Sequence, residues 1–451
     1  MIMSPRSFLI ELYEEYLQEA SFLYEQRNAL LANPEITWRK IGKFEDRFEA
    51  HIDGLVIGGD LALDVCSRQA KEGDFGEAHA AVRVFCRQSR KDMFLKVLKG
   101  LDVEDAARVQ AVADALKHEL PESWEPELLD FLGSKDPNLV LISTEVVGYR
   151  RLKAGKPLIN LLENSESGLL AKAVWALGRV GDQQARSPIF SCLLHGDQAV
   201  RSSAALALLR LGDEQALHYC LQHASKEQWA VLPLASGGSR AAFEVILGRA
   251  TTGKASSECL AGLGLLGYPA AVPFLIDCLE DENTATAAAD ALDRIAGTHF
   301  QEQVFIAEEI NEDELFEGER ERLKQGLVPT RADGKPFGNT VNRVSQKGDE
   351  WQRWWDEHKA FMSPFTRYRN GVPYSPVCLV ADLEQETTPH DARRLAYEEL
   401  VIHYGLGVPF EADMFVTQQT KALVSASEWA QQHTTRFLAG GSYFSGSLIS
   451  S

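Results

Sequence analysis

The ten residues AVWALGRVGD at 173–182 return as AALALLRLGD at 204–213, and this offset of 31 decides the fold. It pairs Ala173 with Ala204, Leu177 with Leu208, Arg179 with Arg210, Gly181 with Gly212 and Asp182 with Asp213. Within the first copy Leu170, Ala173, Val174, Leu177 and Val180 recur at helical spacing, and the glycine supplies the left-handed residue that ends a helix. CLAGLGLLGY at 259–268 and ALDRIAG at 291–297 read the same way. A second apolar segment follows each turn: PLINLLEN from 157, PIFSCLLH from 188, ALHYCLQH from 216, AFEVILGR from 242 and PFLIDCLE from 273. Pro157, Pro188 and Pro273 suit a first helical turn, where the missing N–H costs nothing. Each unit is thus a helix pair. One pair cannot bury its apolar face alone, so neighbours must stack. The expectation is an all-α chain built on a HEAT-like α-solenoid of about 30-residue helix pairs.

Working outward, the spacing and composition divide the chain into an N-terminal helical domain (1–125), the repeat array (126–298), an acidic segment with a polar linker (299–350) and a C-terminal helical domain (351–451). Residues 8–31 carry Phe8, Leu12, Tyr16, Phe22, Leu23 and Leu30 among acidic residues, predicting one or two amphipathic helices that end before Asn33-Pro34. The stretch 43–118 reads as helical. Residues 329–348 hold two prolines and three glycines without apolar periodicity and read as a long loop. Trp351, Trp354 and Trp355 follow at spacings that put two rings on one helical face and suit an anchor onto the array. Helical patterns return at 390–404 and 412–438.

With 451 residues the chain can bury a core, and 45% apolar with 25% charged residues excludes wholesale disorder. Its 65 Asp and Glu against 46 Lys and Arg give a net charge of −19. Such a balance disfavours direct nucleic-acid binding and anionic lipid surfaces and favours a cationic partner. The first twenty residues show neither a signal-peptide core nor a membrane-length apolar run, and the seven cysteines are scattered without a CxxC. A reducing, cytoplasmic location is expected.

RFEAHIDGLVIGGD at 47–60, FLYEQRNALL at 22–31, RYRNGVP at 367–373 and RRLAYEELVIHYG at 393–405, taken with the repeats, resemble a proteobacterial HEAT-repeat family of uncharacterised proteins associated with type VI secretion loci. Ile52 stands where that family has Leu, and Gly59-Asp60 where it has Gly-Glu. The resemblance implies a role in interbacterial toxin delivery and supplies no catalytic residues. An immunity protein that blocks the toxic domain, with a nuclease as one toxin class, is the first expectation, and an effector chaperone or adaptor is the alternative. The short repeats also resemble those of phycobilin lyases, which implies a second, enzymatic alternative with a tetrapyrrole-sized pocket.

Motifs that resemble chemistry have structural explanations. Gly248 to Lys254 fits GxxxxGK, but Ala255 lacks the hydroxyl that holds magnesium, and Gly262, Gly264 and Gly267 fit GxGxxG inside a repeat helix. Cys192, His195, His218, Cys220 and His223 form a loose metal-like group, yet Cys192, Cys220 and Cys278 share one repeat register, which predicts small core residues. Cys66 with His51 and Asp53 has the residue types of a thiol nucleophile, but two residues only two apart diverge on a helix. No catalytic residue, metal or cofactor is therefore expected.

Charge patterning gives the functional signal. Residues 302–321 hold nine acidic side chains and one basic, Arg320, and a second acidic stretch runs from Asp102 to Asp136. Beside a repeat array, the first suits a rim for a basic protein partner, and Glu308, Glu309, Glu312, Asp313, Glu314 and Glu317 are the candidate contact residues.

Overall fold

A computed structural model describes all residues except 1–3, 34, 103, 165, 254, 309–314, 327–329, 331–333 and 450–451, together with every side chain of the described residues except that of residue 164. The fold is an all-α solenoid, with sheet confined among the described residues to short two-stranded pairs. Two compact units group the chain as 1–254 with 373–451, and 255–372.

In the first unit the N-terminal expectation resolves into a single helix, Pro5–Ala32, capped by Ser4 and ending at Asn33. It packs on Trp38–Ile57 and on Phe75–Arg87. From there helices Phe75–Arg87, Ala106–Glu119, Pro137–Arg150, Ser167–Val180, Gln198–Arg210 and Val231–Gly237 each pack on the next, forming one continuous layer, while shorter helices such as Arg186–Cys192 and Glu214–His223 return the chain along its outer side.

The repeated Gly-Asp dipeptide explains how each pair turns. Gly212 sits at φ +71° and donates its N–H to Leu209, while Asp213 N–H reaches back to Leu208, so two terminal carbonyls of Gln198–Arg210 are satisfied. The Asp213 carboxylate then accepts from Ala216 N–H at 3.1 Å and caps the next helix. Asp182 does the same for Gln184 at 2.9 Å. Asp105, Asp136 and Asp197 cap layer helices in turn. Much of the acidic stretch 102–136 is therefore committed to helix caps and internal ion pairs: Asp114 holds Tyr24 and Lys117, and Glu119 holds Arg83 and Arg87.

Residues 373–451 form helices Pro376–Glu384, His390–Tyr404 and Val416–Gln432 around a core of Tyr374, Leu379, Leu400, Tyr404 and Phe437, to which Trp38 also belongs. Helix His390–Tyr404 packs on the layer helices Gln198–Arg210 and Val231–Gly237, and Leu209, Ile402 and Phe444 share a small apolar cluster.

In the second unit Ser257–Leu266 packs on Ala285–Ala296. Gly264 makes that crossing possible, because a Cβ there would lie 2.8 Å from Ala291 Cα. Gly262 and Gly264 are thus helical, as is Gly248 in Arg240–Thr252, and their glycine motifs form no phosphate loop; Lys254 lies outside the described residues. Buried Arg367 donates to the terminal carbonyls of Leu266 and Leu265 at 2.8 and 3.2 Å, closing the end of that helix. Helix Gly348–His358 packs on Val272–Asp277, and its fully buried Trp351 lies edge-on to Phe300 and donates Nε1–H to Ser345 O at 2.7 Å. The stretch 329–348, read as a loop, contains a strand: Gly338–Val344 pairs antiparallel with Gln301–Ala307, setting Val304 against Val341 and Glu302 against Arg343. Only Val341 and Val344 in that strand are apolar, too few for periodicity to reveal it.

Two glycines that differ in surroundings and in backbone conformation test this packing. At Gly178 a Cβ would meet Ala207 Cα at 2.7 Å, whereas Gly181, at φ +78°, has nothing within 4 Å. Gly181→Ala is expected to cost about 1–2 kcal/mol from backbone strain alone, and Gly178→Val about 2–3 kcal/mol or more from overpacking. Urea unfolding of the two variants measures the order.

Candidate protein-binding face

The layer helices present one charged face, and the C-terminal region covers part of it. Arg179 and Arg210, equivalent in the repeat, point at the same carboxylate: Glu398 accepts from Arg179 Nη2 at 3.0 Å and from Arg210 Nη1 at 2.6 Å. Glu411 accepts from Arg179 Nε at 3.0 Å and Arg151 Nη2 at 2.8 Å. All five side chains are largely withdrawn from water, so their attraction is weakly screened. Burial alone would raise the Glu398 carboxyl, but Arg210 and Arg179 overcome it and hold the group at about 2.

The chain then continues along the face to its N-terminal end. Arg27 Nη2 donates to Asp413 O at 2.6 Å, and Glu45 links Arg27, at 2.8 Å, to the backbone N–H of Val416, at 2.6 Å. The Phe415 ring lies between the guanidinium groups of Arg27 and Arg83, each 4.7 Å from its centroid, with His118 edge-on at 5.0 Å. Tyr24, Phe48, His79, Asp114, His118, Asp413 and Phe415 help line a cavity of about 50 Å³ there. Desolvation, then the neighbouring Arg83 and Arg27, push the imidazoles of His79 and His118 well below their ordinary range, so both are neutral.

One helical turn earlier on the same helices the face is open. Gln110, Lys117, Glu145, Ala171, Lys172, Trp175 and Ser203 line a groove of about 390 Å³. Trp175 precedes Arg179 by one turn and is half-buried, with that guanidinium 4.4 Å over its ring. Glu145 pairs with Lys172 and, at 3.1 Å, with Lys117. Desolvation opposes its charge, but the two ammonium groups prevail and lower the carboxyl. With Asp114 also paired to Lys117, the groove offers an aromatic floor between paired charges.

The residues singled out from the sequence are placed as follows. Glu308 and Glu317 are exposed, Glu308 at the end of strand Gln301–Ala307 with its carboxylate 3.3 Å from Asn339 Nδ2, and Glu317 at the start of helix Glu317–Lys324. Glu309, Glu312, Asp313 and Glu314 lie outside the described residues. Cys66 is fully buried and its thiol is pushed up to about 12, while Asp53 pairs with Arg87 at 2.7 Å and His51 packs edge-on against Tyr16, so the three do not assemble. Cys220 is fully buried and pushed up to about 12 by desolvation, and His195 and His223 bond to nearby backbone. Among the described residues no group of three or more His, Cys, Asp or Glu could hold a metal ion. The clamp by Glu398 and Glu411 was not read from the sequence. The repeated arginine beside the Gly-Asp turn was its signal, since equivalent basic residues on one face require a shared anion.

Stacked helix pairs with one continuous face define a HEAT-like α-solenoid, a scaffold class associated with protein interaction. Residues 155–235 match HEAT repeats, and residues 257–281 match the PBS lyase HEAT-like repeat. No curated protein matches the chain. Among solved structures it is similar to an engineered protein from the Northeast Structural Genomics Consortium, at 17% identity and a TM-score of 0.26 over 65% of this chain and 79% of that one. No described helix is long and apolar enough to cross a membrane.

Glu398→Ala leaves Arg179 and Arg210 buried with less compensation and is expected to cost about 3–5 kcal/mol in urea unfolding. Acid should weaken the fold in two stages. Below the ordinary histidine value of about 6.5 the unfolded chain takes up protons that His79 and His118 refuse when folded, and stability falls. Below about 4.3 the contribution of Glu398 is lost in turn as pH falls toward its folded value of about 2. A His79→Gln variant should flatten the slope between pH 6.5 and 5 in urea titrations, and an unchanged slope would contradict the assignment.

Proposed function

We propose that the chain is a non-catalytic scaffold that holds a basic protein partner, with the groove around Trp175 as the anchor of recognition. The open groove beside the covered part of the solenoid face carries this reading. A rigid, half-buried indole beside prepaired charges gives a partner side chain apolar area without a large ordering cost. The net charge of −19 steers and selects a cationic protein. Glu308, Glu309, Glu312, Asp313, Glu314 and Glu317 are the acidic contacts of this proposal. A binding role also agrees with the chemistry of the thiols: burial holds Cys66 and Cys220 protonated, which removes the nucleophile an enzyme of that type needs.

The narrower reading identifies the partner as an effector toxin of type VI secretion and this chain as its immunity protein, acting where effectors are made, in the cytoplasm. It is supported by the resemblance of the stretches at 47–60 and 367–373 to proteins of such loci and by the acidic charge, which matches the basic cleft of a nuclease. Co-purification with the product of the adjacent gene tests both levels. The immunity reading expects a complex in which toxin activity is abolished. A complex that leaves the toxin active points to a chaperone, and an acidic partner sinks the basic-partner reading.

With that partner, Trp175→Ala is expected to weaken binding about tenfold to a hundredfold while far-ultraviolet circular dichroism stays unchanged. Charge reversal at Glu308 and Glu317 is expected to lower the association rate and flatten its salt dependence, both measured by surface plasmon resonance.

A further inference from the structure

The two-stranded ribbon of the second unit presents an edge whose backbone groups can be assigned. Glu308 N–H donates to Phe337 O at 3.2 Å and Ser345 N–H to Phe300 O at 2.9 Å, one at each end of the ladder. The register sets Gln301 opposite Val344 and Ala307 opposite Gly338. In an antiparallel pair, hydrogen-bonded and non-hydrogen-bonded pairs alternate. Glu302, Val304 and Ile306 therefore turn their backbone groups inward to the ribbon, and Gln301, Gln303, Phe305 and Ala307 turn theirs outward.

No other described strand joins that outer edge, whereas Gly338–Val344 lies beside helix Ala285–Ala296. The usual guards of an exposed edge, proline and lysine, do not occur in 301–307. Its one charged side chain, Glu302, is tied across the ribbon to Arg343 at 2.9 Å. Phe305 and Ile306 are 45% and 55% exposed, large apolar side chains on opposite faces of the strand. An edge with free hydrogen-bonding groups and apolar side chains is the template for strand addition. The charge of the occupant follows from that of the chain, −19 overall, and from Glu308, exposed at the end of the strand.

We infer that the outer edge of Gln301–Ala307 accepts an extended, lysine- or arginine-rich segment of a partner protein as a third strand. Main-chain pairing at Gln303 and Phe305 supplies affinity, Phe305 packs on the segment's apolar positions, and Glu308 with the chain's net negative charge selects its charge. The inference rests on the basic-partner reading and adds the mode of recognition to it.

Calorimetric titration of the full chain with a short peptide of alternating lysine and valine tests the edge. Gln303→Pro removes one outward N–H without touching the ladder, and Gln303→Ala is its control. Saturable binding is expected, weakened about tenfold by Gln303→Pro and unchanged by Gln303→Ala. A peptide methylated on alternate backbone nitrogens, tested against the unaltered chain, is expected to lose affinity at equal charge. Absence of binding, or equal affinity for the methylated peptide, overturns the edge and leaves the basic-partner reading standing. Equal or tighter binding of a glutamate–valine peptide overturns the basic-partner reading instead.

Discussion

Everything in the first unit depends on neutralising the arginines that the repeat places on its layer face. A buried guanidinium without an anion costs several kcal/mol, and the repeat that stacks helices so economically also stacks Arg179 on Arg210. The C-terminal region meets that demand with two carboxylates, each shared between two arginines. Residues distant in sequence are thereby required for the array, which is why 373–451 forms one compact unit with 1–254. Phe415 extends the same logic to Arg27 and Arg83, whose charges are paired by Glu45, Glu49 and Glu119 while both guanidinium groups lie over its ring.

Much of the solenoid was legible because its determinants are local. The offset between 173–182 and 204–213 fixes helix, turn and restart, and the structure adds that the aspartate after each glycine caps the following helix. What stayed hidden depends on pairs far apart in the chain. Glu398 lies 188 residues from Arg210, and nothing in its own neighbourhood marks it as a clamp. The ribbon escaped for a related reason: two weakly apolar segments become strands only by pairing with each other, about forty residues apart. Of the candidate contact residues, Glu308 and Glu317 were legible as exposed charges, whereas Trp175 read as one apolar position of a repeat helix.

Net charge and local charge tell different stories here. The chain is strongly acidic, yet the layer face is rich in arginine and lysine, and much of its acidity is spent internally on caps and ion pairs. The stretch 102–136 shows why a run of acidic residues is a poor guide by itself: Asp105, Asp114, Glu119 and Asp136 all have partners within the fold. Acidic residues remain available for an external partner only where no basic layer faces them.

That distinction separates the two ways this scaffold can hold a protein. At the groove proposed as the anchor, charges are already balanced among Asp114, Lys117, Glu145 and Lys172, so a partner brings apolar area and leaves the electrostatics unchanged; specificity there comes from shape. At the proposed ribbon edge the opposite holds, since main-chain pairing is indifferent to sequence and charge must discriminate. On the proposed reading, shape selection at the groove and charge selection at the edge exclude different competitors, and a binding scaffold depends on such exclusion for its specificity.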